Sequence, residues 1–131
     1  GEILWDEAEI GRRVRGLATE VADEWLGRAA PSRPPILLAV GPGAVRFQQA
    51  LATDLGRLGV AVECDRLDPS RYRPQGAQPV TRCLRRPRQP LEGRKVLILG
   101  DVVSSGLTLA WAIERVRRQR ADCVRACALF D

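Results

Sequence analysis

Hydrophobic positions change their spacing several times along the chain, and each change marks a predicted element. Between residues 6 and 28 the apolar side chains recur at intervals of three and four residues, which is typical of an amphipathic helix. Asp6 and Glu9 stand three residues apart at its start, as in a helix capping box. After a proline-rich joint, the continuous apolar run Ile36–Val40 predicts a short buried strand.

The same alternation continues toward the end of the chain. A second helix is predicted from residue 44, with Phe47, Leu51, Leu55 and Leu58 on one face, and residues 59–64 are predicted to form the next strand. A strand over 95–100, a helix over 107–118 and a strand over 122–130 follow. This order predicts an α/β fold with a mainly parallel, twisted sheet between two helical layers, in a single domain over residues 1–131.

Residues 65–94 interrupt this alternation. They contain five of the nine prolines and eight arginines, with one weak strand candidate over residues 80–84. Such a composition is typical of a surface segment, so the sequence predicts an exposed excursion from the domain.

The charge and the cysteine content limit the classes of protein to which this chain can belong. Twenty of the 21 basic residues are arginine, and the net charge is +5, which fits either a polyanionic partner or a solvated basic surface. The chain has no histidine, and its four cysteines lack metal-ligand spacing, so we expect reduced thiols rather than a zinc site. No apolar run approaches the roughly 20 residues of a membrane helix. The acidic N-terminus is unlike a signal peptide, so a cytoplasmic protein without membrane contact is expected.

A glycine-containing turn after the strand at 95–100 carries the candidate chemistry. The sequence continues as GDVVSSGLT and enters a helix, so backbone amides and the positive end of the helix dipole can converge on an anion. Serine and threonine hydroxyls add hydrogen-bond donors. The same letters also fit an ordinary turn in which a serine caps the helix. The predicted phosphate site comprises Ser104, Ser105, Gly106, Leu107 and Thr108.

The strand, Asp101 and the segment SSGLTL resemble the ribose-phosphate signature of the type I phosphoribosyltransferases. The chain is similar to the hypoxanthine-guanine phosphoribosyltransferases over nearly its whole length, in the segments ILWDEAEIGRRVRGLATEVADEW, LLAVGPGAVRFQQAL, VECDRLDPSRY, LEGRKVLILGDVVSSGLTL and VRACALFD. This resemblance implies the type I fold and transfer of phosphoribosyl from phosphoribosyl diphosphate (PRPP) to a purine in salvage. The segment LDPSRYR is also similar to the pyrimidine-operon attenuator proteins, which share the fold and bind RNA. That second resemblance implies an RNA-binding regulator.

The resemblance also assigns roles around the signature loop. In the family this loop holds the 5′-phosphate, two acidic residues hold the ribose and help to place Mg²⁺, and a later acidic residue is the general base. Here Gly100 stands at the first acidic position, Asp101 matches the second, and Ser104 replaces the base. The resemblance therefore implies ribose and metal contact at Asp101. Because a serine hydroxyl is not a base near neutral pH, we expect weak or no transferase activity.

A second turn, GPG at residues 41–43, resembles the family's diphosphate-binding loop. Gly41, Pro42 and Gly43 are its candidate residues, with Pro42 at the position of a family lysine and Gly43 at that of a glycine. The family loop contains a cis peptide. Before a proline the cis form costs only about 0.5–1 kcal/mol, so the Gly41–Pro42 bond is expected either to be cis or to form a plain trans turn.

Ser70, Arg71 and Tyr72 resemble the start of the mobile loop that closes over the family's active site. Arg71 or Arg73 would then replace the positive charge that is missing at Pro42. Family enzymes continue after the segment ALFD with a lobe that holds the purine, whereas this sequence stops at Asp131. If that is the natural length, the base-binding half of the site is missing, and an apolar edge favours a homodimer. The implied ligands are PRPP or a nucleoside monophosphate, and a non-catalytic nucleotide-binding subunit is a further alternative.

Overall fold

The structure, a computed structural model, describes residues 7–26, 33–72, 80–100 and 106–128. Three helices and five strands alternate along these residues. The helices are α1 (Glu7–Leu26), α2 (Val45–Arg57) and α3 (Gly106–Arg118). The strands are β1 (Ile36–Val40), β2 (Glu63–Tyr72), β3 (Val80–Arg85), β4 (Lys95–Gly100) and β5 (Cys123–Ala128). A short 3₁₀ turn, Pro42–Ala44, joins β1 to α2.

The five strands form one sheet in the order β3-β2-β1-β4-β5. Strand β1 is parallel to both of its neighbours, with Ile36 opposite Glu63 of β2 and Val96 of β4. Strand β5 is parallel to β4, and β3 alone is antiparallel, so the predicted mainly parallel sheet is confirmed. Strands β2 and β3 lie on one side of β1, and β4 and β5 lie on the other, so the strand order reverses direction between β1 and β4. In α/β proteins, ligands bind at the carboxyl ends of the strands at such a topological switch point.

Apolar layers cover both faces of the sheet, as the three-layer prediction requires. On one face α1 and α2 pack against Leu37 and Leu99, and on the other α3 packs against Ile36 and Leu38. Adjacent residues of a strand point to opposite faces, so β1 contributes to both layers and is buried throughout. Among the residues that the structure describes, no helix has the length and apolar character needed to span a membrane.

Strand β2 begins later than predicted and runs further. Residues 59–62 do not start it, because they return the chain from α2: Gly59 has φ +82°, and Val60 N–H donates to Leu55 C=O at 2.9 Å. Leu58, predicted on the buried face of the helix, lies beyond its end and is 45% exposed. Strand β2 then continues to Tyr72 and pairs with β3. The weak strand candidate at 80–84 is therefore confirmed.

The prediction of an exposed excursion over 65–94 is wrong for most of its described residues. Residues 65–72 lie in β2, and the return segment is anchored by a buried carboxylate: Asp65 Oδ1 accepts from the amide of Arg88 at 2.9 Å, and Oδ2 accepts from that of Gln89 at 2.9 Å. At the amino edge of the sheet, Arg94 is 1% exposed, donates to Pro34 C=O at 2.6 Å and lies 3.3 Å from a Glu63 carboxylate oxygen. These tertiary contacts hold a segment whose composition is typical of a surface loop.

Candidate functional site

Two strand ends and two helix starts define the candidate site at the carboxyl edge of the sheet. Strand β1 ends at Val40 and β4 at Gly100, and the 3₁₀ turn that follows β1 contacts β4. Helix α2 begins at Val45 on one face of the sheet, and α3 begins at Gly106 on the other. Each helix directs its N-terminus toward this edge, where unpaired N–H groups and the helix dipole favour an anion. The turn at 41–43 and the start of α3 at Gly106 therefore follow neighbouring strands of the sheet.

The turn after β1 has a conformation that favours glycine. Gly41 has φ 87° and ψ 160°, its N–H donates to Leu67 C=O of β2 at 2.9 Å, and its C=O accepts from the Ala44 amide at 3.3 Å. Pro42 and Gly43 are exposed. The described residues contain no cis peptide bond, so Gly41–Pro42 is trans, and the cis alternative is wrong. Since proline has no N–H, the amides that this turn can offer to an anion begin at Gly43.

The predicted phosphate loop is described only in its second half. Asp101, Ser104 and Ser105 lie outside the described residues. Gly106 opens α3, Leu107 is 74% exposed, and Thr108 is half-buried in the first helical turn. A Cβ added at Gly106 would meet no atom of the described residues within 4 Å, so those residues leave room for a side chain there.

The residues that resemble the start of the mobile loop lie in a paired strand. Ser70 lies opposite Arg82, and Tyr72 lies opposite Val80, in the β2–β3 hairpin. Because Val40 is the last β1 residue to pair with β2, opposite Leu67, this hairpin extends beyond the carboxyl edge of the parallel sheet. Arg71 belongs to the same strand, whereas Arg73 lies outside the described residues.

One ion pair at this edge was missed in the sequence. Arg66 Nε donates a hydrogen bond to Asp68 Oδ1 at 2.8 Å. The two residues flank Leu67, whose C=O accepts the hydrogen bond from the Gly41 N–H. Both ionic side chains are partly buried. Their spacing of two residues puts them on one face of a strand. This spacing could have predicted the ion pair, but it indicates a shared face only in a strand, and residues 65–94 were predicted to be an excursion.

A cavity of about 470 Å³ lies beside this edge, between α1, α2 and the end of β5. Leu17, Phe47 and Cys127 contribute apolar walls, and Arg13 and Glu20 of α1 also line it. Ala128, at the β5 end of the cavity, lies opposite Gly100 of β4. The cavity therefore borders the site but does not coincide with either helix N-terminus.

The four cysteines lie on three different strands of the described sheet. All four are free, and the described part of the chain holds no group of three or more histidine, cysteine, aspartate or glutamate side chains placed to bind a metal. Cys127 of β5 packs against the α1/α2 layer. Partial burial raises the pKa of the Cys64 thiol, which makes it less reactive than a free thiol.

Residues 2–131 match the family model of the phosphoribosyl transferase domain. The chain belongs to this family. It is 32% identical to the hypoxanthine-guanine phosphoribosyltransferase of Mycobacterium avium over 131 residues, which cover 98% of this chain and 63% of that protein. It is 29% identical over 134 residues to the bifunctional protein TilS/HprT of Listeria innocua, covering 99% of this chain and 19% of that protein.

Solved phosphoribosyltransferase structures share the fold. The hypoxanthine phosphoribosyltransferase of Trypanosoma cruzi, in a variant complexed with the product IMP, superposes with a TM-score of 0.84 at 28% identity, over 98% of this chain and 66% of that one. The chain thus spans less than two thirds of the length of the curated relatives named above. The predicted resemblance to type I phosphoribosyltransferases of the hypoxanthine-guanine kind is confirmed.

Proposed function

We propose that this chain binds PRPP, or a nucleoside 5′-monophosphate, at the carboxyl edge between β1 and β4. The observation that carries the proposal is that two helices begin at adjacent strand ends, α2 after the turn at 41–43 and α3 with Gly106. Residues 104–108, which lead into the first turn of α3, would hold the 5′-phosphate, and the turn at 41–43 would hold the diphosphate. Asp101, directly after β4, would contact the ribose hydroxyls.

The reaction proposed for the site is phosphoribosyl transfer to a purine, at a low rate. A base nitrogen forms a bond to C1′ of the ribose, the C1′–oxygen bond to diphosphate breaks, and the base loses a proton. General-base catalysis of such a proton transfer contributes about 10²–10⁴-fold. Ser104 occupies the base position and the chain contains no histidine, so that factor is missing. We therefore infer a binding site that has kept its anion contacts and lost most of its chemistry.

Magnesium would enter this site mainly with the substrate. Mg²⁺ prefers oxygen ligands and is commonly held by one or two carboxylates together with substrate phosphates. Asp101 is the candidate carboxylate, and the described residues supply no further acidic cluster. A bound ion would neutralise part of the diphosphate charge.

Calorimetric titration with PRPP and Mg²⁺, and separately with IMP, GMP and UMP, tests the proposal. Gly106→Ala places a methyl group where no atom of the described residues lies within 4 Å, so we expect it to crowd the ligand rather than those residues. We expect it to weaken binding of all phosphate ligands by about tenfold or more, or about 1.4 kcal/mol. Thr108→Ala should reduce binding less, through loss of the hydroxyl donor.

Gly56→Ala is the matched control, because it lies in α2 away from the site and also has open space around its Cβ. It should leave every affinity unchanged. Absence of heat with every ligand at millimolar concentration would contradict the proposed function. Binding without turnover of hypoxanthine, guanine or uracil would identify a non-catalytic nucleotide-binding subunit instead of a slow enzyme.

An RNA-binding regulator is the second candidate, and one surface feature favours it. Arg85, Arg86 and Arg88 are exposed on β3 and the segment after it, and their side chains form no ion pair with any described residue. Arginines that bind RNA phosphates release counterions, so the affinity should fall steeply as salt rises. RNA retention at low salt that is lost with increasing salt would support this candidate, and absence of retention at low salt would exclude it.

A further inference from the structure

We propose that Arg46 supplies the positive charge that the diphosphate group requires at the turn of residues 41–44. This inference rests on the proposed function and deepens it, because it names a residue that distinguishes a diphosphate ligand from a monophosphate. None of the residues 41–44 carries a charged side chain. A cation for this turn must therefore come from a neighbouring element.

Arg46 is placed to reach the turn. It is the second residue of α2, directly after the 3₁₀ turn, and it is exposed. Long side chains on a helix lean toward its N-terminus and cover the preceding turn. The residues one turn before Arg46 are Pro42 and Gly43, so we infer that its guanidinium lies near them, at the carboxyl end of β1.

The first turn of α2 opposes the usual rules of helix stability. It contains no acidic residue, and its N-cap Ala44 makes no side-chain hydrogen bond. A helix start favours acidic side chains and a Ser, Thr, Asp or Asn cap, and it disfavours a cation. Helix α1 of the same protein follows these rules, with Glu7 and Glu9 in its first turn. The Ala44 and Val45 amides already donate to Gly41 C=O and Pro42 C=O, so an anion bound here would balance the charge of Arg46 and the positive end of the helix dipole.

Two other arginines on α2 and β2 are already paired with acidic side chains. Arg66 of β2 is paired with Asp68 at 2.8 Å, and Arg57 at the far end of α2 lies 3.5 Å from Asp54. Arg46 has no ion pair or side-chain hydrogen bond with any residue in the described part of the chain. Its planar guanidinium can donate two parallel hydrogen bonds to phosphate oxygens. It is therefore available to the ligand.

Arg46→Gln removes the charge and keeps a polar side chain of similar reach. Calorimetry at fixed Mg²⁺ compares inorganic diphosphate, PRPP and IMP. We expect the affinity for diphosphate and for PRPP to fall about tenfold to a hundredfold, the range for a hydrogen bond to a charged group. Affinity for IMP should be unchanged, because IMP has a 5′-phosphate but no diphosphate. Arg46→Lys should retain part of the diphosphate affinity.

Arg57→Gln is the control, since it removes an exposed arginine from the opposite end of the same helix. It should alter none of the three affinities. Unchanged diphosphate and PRPP binding in Arg46→Gln would overturn the assignment while leaving the proposed function standing. An equal loss of IMP binding would also overturn it, because the side chain would then support the whole site. If the unmodified protein binds neither PRPP nor IMP, the proposed function and this assignment fail together.

Discussion

Asp65 is a buried carboxylate whose two oxygens are both engaged by backbone amides. Oδ1 accepts from the amides of Arg66 and Arg88, and Oδ2 accepts from that of Gln89. The residue is only 8% exposed. A buried polar group with all its partners is stable, whereas one that loses a partner incurs the full desolvation cost. Asp65 thus ties the segment after β3 to strand β2.

Asp65→Asn should therefore destabilise the protein without changing the shape of the side chain. The asparagine amide would place a donor where Oδ1 or Oδ2 now accepts, so at least one backbone N–H would lose its partner. We expect the free energy of unfolding to fall by about 1–3 kcal/mol in urea titration. Glu114→Gln is the control, because the Glu114–Arg118 pair is exposed and worth at most about 0.5 kcal/mol. Equal urea midpoints for Asp65→Asn and the unmodified protein would contradict this role.

Ser104→Asp tests whether loss of the general base limits the reaction. A carboxylate at this position restores a group that can accept a proton from the base near neutral pH. We expect the rate of phosphoribosyl transfer to hypoxanthine or guanine to rise by about 10²-fold, toward the lower end of general-base contributions. Ser105→Asp adds the same charge one residue away and should not increase the rate. If Ser104→Asp binds PRPP but gains no activity, the missing base is not the main reason for slow turnover.

At the scale of elements, strands β1 and β4 were predicted to the residue, because both faces of each strand are buried and the apolar run is continuous. The bounds of strand β2 were not predicted, because the contacts that stabilise its polar residues come from distant parts of the chain. Asp65 is satisfied by amides 23 and 24 residues later. No local pattern of apolar residues encodes such a contact, so the sequence alone favoured a loop.

In the candidate site, too, some features could be predicted from the local sequence pattern and others could not. The turn at 41–43 and the start of α3 follow from glycines after apolar runs, and both lie at the predicted edge of the sheet. Arg46 was missed because a charged residue in a helix is ordinarily solvated, and only its position in a first turn without acidic residues sets it apart. The trans conformation of Gly41–Pro42 was one of two alternatives that the sequence left open.

At the scale of the whole molecule, the described sheet has two edges with different chemistry. Strand β3 carries exposed arginines, which discourage pairing with another strand. Strand β5 ends in small residues, with Ala126 exposed and lining the cavity beside α1. It carries one exposed arginine, Arg125, whose charge is balanced by Glu24 of α1, so this edge opposes self-association less than β3 does. We therefore expect a homodimer formed through β5 rather than through β3.

Size-exclusion chromatography with light scattering tests this expectation, because it measures the molar mass of the protein in solution. A dimer would have twice the 14.4 kDa of one chain. Ala126→Glu places a carboxylate on the β5 edge and should shift the protein to the mass of a monomer, because an unpaired charge buried in an interface is costly. Ala50→Glu makes the same change on the exposed surface of α2 and should leave the dimer intact. A monomer in the unmodified protein would exclude the homodimer, and a dimer that survives Ala126→Glu would place the interface away from β5.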